Sequence, residues 1–285
     1  MSAAVSARPL RRHAEGPTPH IFLRPEHRYH PSRQLAVINP VSSPLLLFLL
    51  SLLILWATAR LGARFAKTGR EVHEDLGVIL TATLTLLGLI VGFTFSMAVS
   101  RYEQRKLYEE EEANAIGTEY LRADLLPPAD AENMRNLLRE YIDQRISFYQ
   151  TRNEEALRAI DDANARLQAR LWTATKGPAA AQPTPLSALV ASGMNDVLNS
   201  QGYTQAAWRN QIPFEAWILM AVIAIFGNFM VGLYLLRVSS NAALLAVLPI
   251  IVALSFLLIS DMDAPRRGLI HVTAVNLIST RQAMR

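Results

Sequence analysis

Small and hydroxyl-bearing residues recur at helical spacing in a stretch that carries no charge from Leu76 to Ser100. The stripe permits two interpretations. Small side chains let a second membrane helix approach closely, and polar groups on one face can also line a path for water or ions. We assign close helix packing to Gly88, Gly92 and Ser96. Steps of three or four residues place the whole set on one helical face: Thr81, Thr85, Gly88, Gly92, Ser96 and Ser100.

A basic cluster and then an acidic run continue this stretch without a Pro or Gly break. Arg101, Tyr102, Arg105 and Lys106 come first, and cations with a Tyr are typical of the membrane–water interface. Glu109–Glu112 follow. They could bind a divalent cation only if a second element completed the ligand shell. We favour a solvated helix face on which these carboxylates pair with the preceding cations, and we expect no metal ion or other cofactor.

The residue types that catalysis requires do not form a recognisable motif. The sequence contains no nucleophile elbow, phosphate-binding loop, zinc-protease helix or dinucleotide fingerprint. It contains no Cys, which excludes disulfides, thiolate metal sites and cysteine nucleophiles. Basic residues are dispersed along the chain, so the net charge of +4 does not indicate a nucleic-acid partner. We predict a protein that is not an enzyme.

Four apolar runs account for most of the hydrophobic residues, which make up 51% of the sequence against 18% charged residues. Runs of about 20 apolar residues are long enough to cross a bilayer. The first run also permits a signal peptide, because Ala57-Thr58-Ala59 has the form of a cleavage site. The long segment before it favours a retained helix. The predicted spans are residues 41–59, 76–100, 213–236 and 242–260.

These spans predict an all-α membrane protein with four transmembrane helices and a helical cytoplasmic domain, residues 101–212, inserted between the second and the third. One amphipathic stripe in that domain predicts a helix from about Ala129 to Thr175. The Gly- and Pro-rich segment 177–185 predicts a loop. Residues 1–40, rich in Pro and Arg, predict a disordered basic tail, and residues 261–285 form a C-terminal tail.

The distribution of Lys and Arg predicts the orientation. Four spans place the N-terminal tail, residues 101–212 and the C-terminal tail on one side of the membrane. Nine cations near the spans lie on that side and five on the other, so we expect that side to be cytoplasmic, in the cell inner membrane. The nine are Arg24, Arg28, Arg33, Arg101, Arg105, Lys106, Arg209, Arg266 and Arg267, and the five are Arg60, Arg64, Lys67, Arg70 and Arg237.

Several short motifs in the chain resemble those of a known family. The resemblance is to the bacterial bestrophin-like domain proteins and covers about residues 41–275. More distantly, Gly92-Phe93 followed by Arg101-Tyr102 is similar to the pore-helix exit of the bestrophin anion channels. The motifs are Gly92-Phe93, Ser100-Arg101-Tyr102, Glu112 to Arg122, Arg139 to Asp143, and Asp261 to Gly268.

The resemblance to bestrophins implies a homo-oligomeric channel for an inorganic anion, built from five copies in the lipid bilayer. The neck residues of bestrophins correspond to Thr85, Leu89 and Phe93, and the pore exit to Arg101, Tyr102, Glu103 and Arg105. Thr85 is polar where the neck is usually apolar. Glu103 replaces an aromatic residue, and an acid there does not favour anions.

A non-conducting membrane scaffold or sensor is the alternative hypothesis. In that case the helices of residues 101–212 bind a partner, and the small-residue stripe only packs. Asp261 and Asp263 also permit two interpretations, because they could neutralise Arg266 and Arg267 or lie at a pore mouth.

Overall fold

The computed structural model describes residues 43–68, 75–238 and 242–284. This part of the chain is helical and contains no strand, as the sequence predicts. The predicted N-terminal tail, residues 1–40, and most of the connector before Ala242 lie outside the described residues. The helices are α1 (Pro44–Thr68), α2 (Asp75–Arg122), α3 (Pro128–Gln150), α4 (Glu154–Ala181), α5 (Pro185–Arg209), α6 (Phe214–Val238), α7 (Val247–Asp263) and α8 (Val275–Ala283), with 3-10 turns at Ala123–Leu125 and Ala242–Ala246.

Four helical segments of the described chain are long and apolar enough to cross a bilayer. They belong to α1, the first half of α2, α6 and α7. Helix α1 packs mainly on α6 and also on α7, and α2 packs on α6 and α7. Lipid provides no hydrophobic drive for helices to associate, so close van der Waals packing must hold this bundle together.

Helices α1 and α6 approach each other closely at two glycines. A Cβ at Gly62 would overlap the backbone carbonyl of Phe229, and a Cβ at Gly232 would overlap that of Ala59. Only glycine fits at both positions, because the obstacle is backbone and cannot rotate away. Small-residue packing within the chain therefore occurs here.

Helix α2 is one continuous helix of 48 residues. At 1.5 Å per residue it is about 72 Å long, more than twice the thickness of a bilayer core. Its first half is the second apolar segment. Its second half packs against α3, α5 and α8, and these elements together with α4 form what we call the polar helical domain.

Two turns of the polar helical domain differ from the prediction. The predicted single helix 129–175 is divided at residues 151–153, where the Asn153 side chain caps α4 by accepting hydrogen bonds from the Glu155 and Ala156 N–H groups. The predicted loop 177–185 is shorter, because α4 continues to Ala181. Pro178 is tolerated near the helix end, where one lost backbone hydrogen bond costs least.

The C-terminal segment is packed against the rest of the protein. Helix α8 contacts α2 and α3, and its Leu277 is fully buried. The core of the polar helical domain includes Leu277 together with Met134, Leu138, Tyr141, Ile142, Leu171, Met194 and Val197.

Candidate functional site on helix α2

One face of α2 has no cover from the rest of the described chain. Leu89 and Phe93 are 53% and 65% exposed. Thr85 is also exposed, and its hydroxyl donates to the Thr81 carbonyl at 2.8 Å. Residues at this spacing share one helical face, so the three predicted neck residues do lie together. Large apolar groups and a hydroxyl are thus presented outward from the chain.

The predicted packing residues lie on or next to this same face. A Cβ at Gly88 or Gly92 would meet no atom of the described chain within 4 Å, and Ser96 is exposed. Close glycine packing within the described chain occurs at Gly62 and Gly232 instead. The packing role of Gly88, Gly92 and Ser96 stays a prediction, for contacts with a second copy.

The exposed face continues beyond the apolar segment and is acidic there. Helical periodicity places Ser100, Glu103, Leu107 and the Glu110–Glu111 pair in line with Leu89, and all of them are exposed. Lys106 is exposed too, but it lies about 100° around the helix from Leu107. Between Ser100 and Leu121, this face carries carboxylates. No Lys or Arg lies within about 45° of the line that runs along the helix through Leu89 and Leu107.

Arg101 and Arg105, predicted at the pore exit, point away from that face. Arg105 is buried, and its guanidinium donates to the carbonyls of Arg101 and Met262, at 3.1 Å each. Arg101 lies 3.6 Å from the Asp263 carboxylate. Tyr102 is half-buried between the two hydrophobic cores. Of the four predicted exit residues, only Glu103 is well exposed on the outward face.

The two aspartates at the end of α7 fix the return of the chain into the polar helical domain. Asp263 accepts the Ile212 N–H at 3.0 Å, and Asp261 accepts the N–H groups of Leu269 and Ile270, each at 2.7 Å. The cationic partner of Asp263 is Arg101. The neutralisation of Arg266 and Arg267 by these aspartates stays a prediction.

Arg266 is held by groups of the polar helical domain. Its guanidinium donates to the carbonyls of Phe148 and Thr151, at 3.0 and 2.9 Å, and lies 4.3 Å from the ring centroid of Trp208. Burial lowers the pKa of Arg266 to about 10, and it stays protonated near neutral pH. The Asp261 to Gly268 motif thus connects α7 to the domain by charge-assisted hydrogen bonds.

Half of the acidic run Glu109–Glu112 is buried, so the predicted solvated face is wrong for two of its four members. Glu109 accepts the Leu277 N–H at 2.9 Å and the Asn276 amide at 2.7 Å. Burial raises the pKa of Glu109, and these hydrogen bonds oppose the rise. Glu110 and Glu111 are exposed, as predicted. Within the described residues, no three His, Cys, Asp or Glu side chains are grouped to hold a metal ion.

Glu112 is the centre of a fully buried polar cluster. Arg145 forms an ion pair with it through Nε, and Tyr149 and Thr204 donate hydroxyl hydrogen bonds to Oε2 at 3.2 Å. Arg145 and Glu112 both have zero side-chain exposure. This cluster connects α2, α3 and α5, and the carboxylate holds the continuation of the membrane helix in the domain core.

The sequence profile of the Bestrophin-like domain family matches residues 45–277. The chain belongs to this family. The match includes all four apolar segments, the exposed face of α2 and the Asp261 to Gly268 motif. No curated protein matches this bestrophin-like chain.

Solved structures share the fold of this bestrophin-like protein. A bacterial bestrophin homologue from Klebsiella pneumoniae superposes with a TM-score of 0.60 at 12% identity, covering 84% of this chain and 95% of that one. A single-residue variant of that homologue gives 0.58 at 13% identity, covering 83% and 96%. A structure described only as a membrane protein variant gives 0.60 at 12%, covering 83% and 95%. At these identities the likeness shows the fold.

Several structurally important residues were not predicted from the sequence. Gly62 follows Ala59 and precedes Ala63 and Ala66, a small-residue spacing in α1 that indicates close packing. Arg145 had no local signal, because its role depends on partners on other helices.

Proposed function

We propose that this protein is an oligomeric ion channel whose path is lined by α2, with Thr85, Leu89 and Phe93 at the constriction. One observation carries the proposal, namely the continuous uncovered face of α2 from Thr85 to Leu121. The opposite face is buried against the same chain, with Leu87, Ala98 and Ile116 at most 3% exposed. Because α2 is covered by its own chain on one side only, further copies must cover its other side to enclose a path.

The chemistry of the uncovered face supports a narrow and partly apolar passage. Rings of Leu89 and Phe93 side chains would form a hydrophobic constriction, which can gate ions by dewetting. The Thr85 hydroxyl is bonded to its own helix and keeps acceptor capacity towards the axis. The resemblance to bestrophins supports five copies around that axis.

The proposed location is the cell inner membrane, with the N-terminus, the polar helical domain and the C-terminus in the cytoplasm. The excess of Lys and Arg on that side supports this orientation. The lipid bilayer and further copies of the same chain are the proposed partners, and the proposed role involves no catalysis.

The likeness to bestrophins and the charges on the uncovered face of α2 favour opposite signs for the transported ion. The likeness to bestrophins supports an inorganic anion. The exposed Glu103, Glu110 and Glu111 oppose it, since acidic rings attract cations. We therefore propose an ion channel and treat anion conduction as the first hypothesis to measure.

A non-conducting scaffold or sensor is the second candidate, and one observation favours it. Large apolar side chains away from the uncovered face of α2 are exposed on the polar helical domain, including Leu186, Leu189 and Tyr203 on α5, with Tyr203 at 56%. Such residues are typical of surfaces that bind another protein. A scaffold of this kind would need the stripe at Gly88 only for assembly.

Ion flux into liposomes that contain the purified full-length protein tests the channel. Phe93→Ala should change the flux with little effect on assembly. Phe95→Ala is the matched control, because Phe95 is 37% exposed on the same helix but lies about 200° around it from Phe93. Equal effects of the two substitutions would contradict a path along the Phe93 face.

Assembly is measured alongside, by light scattering of the detergent-solubilised protein. Absence of flux from well-folded oligomers would contradict the channel. The scaffold hypothesis predicts instead that Gly88→Leu breaks the oligomer, because bulk at this position blocks close approach, and that Phe93→Ala has no ionic phenotype.

A further inference from the structure

A third buried carboxylate on α2 differs from the other two. Glu119 has zero exposure, and neither of its oxygens has a hydrogen-bond partner among the described residues. Glu109 and Glu112, on the same buried side, each accept two or more hydrogen bonds. A buried ionised carboxylate without hydrogen bonds is costly, so a different protonation state is expected for Glu119.

The space around Glu119 is shaped by α5. A Cβ at Gly193 would overlap Glu119 Oε2 and Arg122 Nη1, so glycine leaves room for both side chains. Arg122 Nη1 lies 3.8 Å from the carboxylate, one turn further along α2. That distance is too long for a hydrogen bond, and the Arg122 side chain is 27% exposed.

The charges that face Glu119 do not compensate its burial. Burial raises the pKa of Glu119 to about 8, Arg122 opposes this rise, and Asp196 on α5 adds to it. Asp196 is exposed and carries the same charge. Glu119 is therefore mostly protonated at neutral pH while α2 and α5 are packed.

Charged groups on the other neighbouring elements have partners elsewhere. Asp124, in the 3-10 turn after α2, pairs with Arg135 on α3. Arg139 on α3 donates to the Tyr120 hydroxyl and to the Met284 carbonyl, and Arg281 on α8 pairs with Asp143. Arg122 and Asp196 are left as the charges that act on Glu119.

We propose that Glu119 is a proton-binding site that controls the packing of α5 on α2. The proton is held while the two helices are packed, and it is released to water when they separate. Proton release thus favours separation, and proton uptake favours packing. The proposal goes beyond ion conduction and does not depend on it.

The direction of the pH dependence follows from linkage. A separated Glu119 has its ordinary pKa of 4.5, and the packed one has a pKa of about 8. The separated form therefore binds fewer protons between these values, and packing weakens as pH rises through that window. The equilibrium shifts about tenfold per pH unit there and becomes level above about pH 8, where both forms are ionised.

Amide hydrogen exchange of α5 in the full-length protein in detergent tests the site. The ratio of exchange rates, wild type over Glu119→Gln at the same pH, should rise by up to tenfold per unit between about pH 5 and 8 and then level off. Glu111→Gln, an exposed carboxylate on the same helix, is the matched control and should keep the wild-type pH dependence. A wild-type to Glu119→Gln ratio that does not change with pH would overturn the proposal.

An infrared titration provides a second measurement that needs no change at position 119. It uses Glu109→Gln protein with isotope-labelled glutamate carboxyl groups, because Glu109 is the other glutamate on this helix with a raised pKa. We expect a protonated glutamate band at pH 7 that disappears with a midpoint near pH 8. Its absence at pH 7 would also overturn the proposal. Neither experiment measures ion flux, so their failure is distinct from failure of the channel.

Discussion

The backbone of α6 at Gly232 lies directly against the carbonyl oxygen of Ala59 on α1, with no room for a side chain. The same relationship is repeated one turn away, where Gly62 faces the carbonyl of Phe229. Two glycines on two helices thus fix the separation and the rotation of α1 against α6. This contact belongs to a single chain, whereas the Gly88–Gly92 pair faces outward.

Gly232→Ala should destabilise the membrane bundle by about 1–3 kcal/mol, because the added methyl group forces the two backbones apart. Thermal unfolding in detergent, followed by circular dichroism, measures the change. Gly88→Ala is the control, since its Cβ would meet no atom within 4 Å. Equal unfolding temperatures for Gly232→Ala and the wild type would show that α1 and α6 do not touch at this position.

Arg145→Met should destabilise the polar helical domain by about 3–5 kcal/mol, because it leaves the fully buried Glu112 without its cation. Adding Glu112→Leu should recover part of the loss. Denaturant unfolding of the single and double variants measures both effects.

The exposed pair Arg170–Glu140 provides the comparison for that experiment. Its side chains are 57% and 51% exposed, and Arg170→Met should cost at most about 1 kcal/mol. Similar losses for the two arginine substitutions would contradict a special role for the buried pair.

Asp261→Ala should loosen the segment that follows α7, because the N–H groups of Leu269 and Ile270 lose their acceptor. Leu269 and Ile270 are themselves exposed, so water can replace part of what is lost, and each hydrogen bond should contribute about 0.5–1.5 kcal/mol. Limited proteolysis between residues 264 and 275 should become faster, while Asp261→Asn, which keeps one acceptor oxygen, should have a smaller effect. Unchanged cleavage would show that the two hydrogen bonds do not hold this segment.

Combined neutralisation of Glu103, Glu110 and Glu111 to Gln should raise the permeability of anions relative to cations. These carboxylates lie on the exposed face of α2 that we propose as the path wall, so removing them removes attraction for cations. Reversal potentials in planar bilayers under a salt gradient measure the ratio. Glu132→Gln, an exposed carboxylate on α3, should leave the ratio unchanged. A ratio that does not respond to the triple substitution would place those residues outside the path.

The apolar segments and the helical class were predictable, because charge-free runs and helical spacing are local properties of the sequence. It was not predictable which face of α2 is buried and which is exposed. Leu89 and Leu87 are similar residues two positions apart, yet the first is exposed and the second is 3% exposed. Only the positions of α6 and α7 decide between them, and a single sequence does not encode those positions locally.

The same reason explains why the burial of Glu109 and Glu112 in the acidic run was not predicted. Glu109 and Glu112 are indistinguishable by type from Glu110 and Glu111. Their burial depends on Leu277 and Arg145, which lie 168 and 33 residues along the chain. The break between α3 and α4 had a local signal in the capping residue Asn153, since Asn is a preferred first cap. That signal was outweighed by the apolar stripe that continues beyond it.

The unbroken course of α2 has a mechanical consequence. Phe93 and Glu112 belong to one helix of 48 residues, about 29 Å apart along its axis, with no Pro or Gly between them. A continuous helix without a Pro or Gly hinge transmits rotation and tilt along its length. Rotation or tilt imposed on its polar end by α5 or α8 therefore also moves its apolar end, against the helices α6 and α7 on which that end packs.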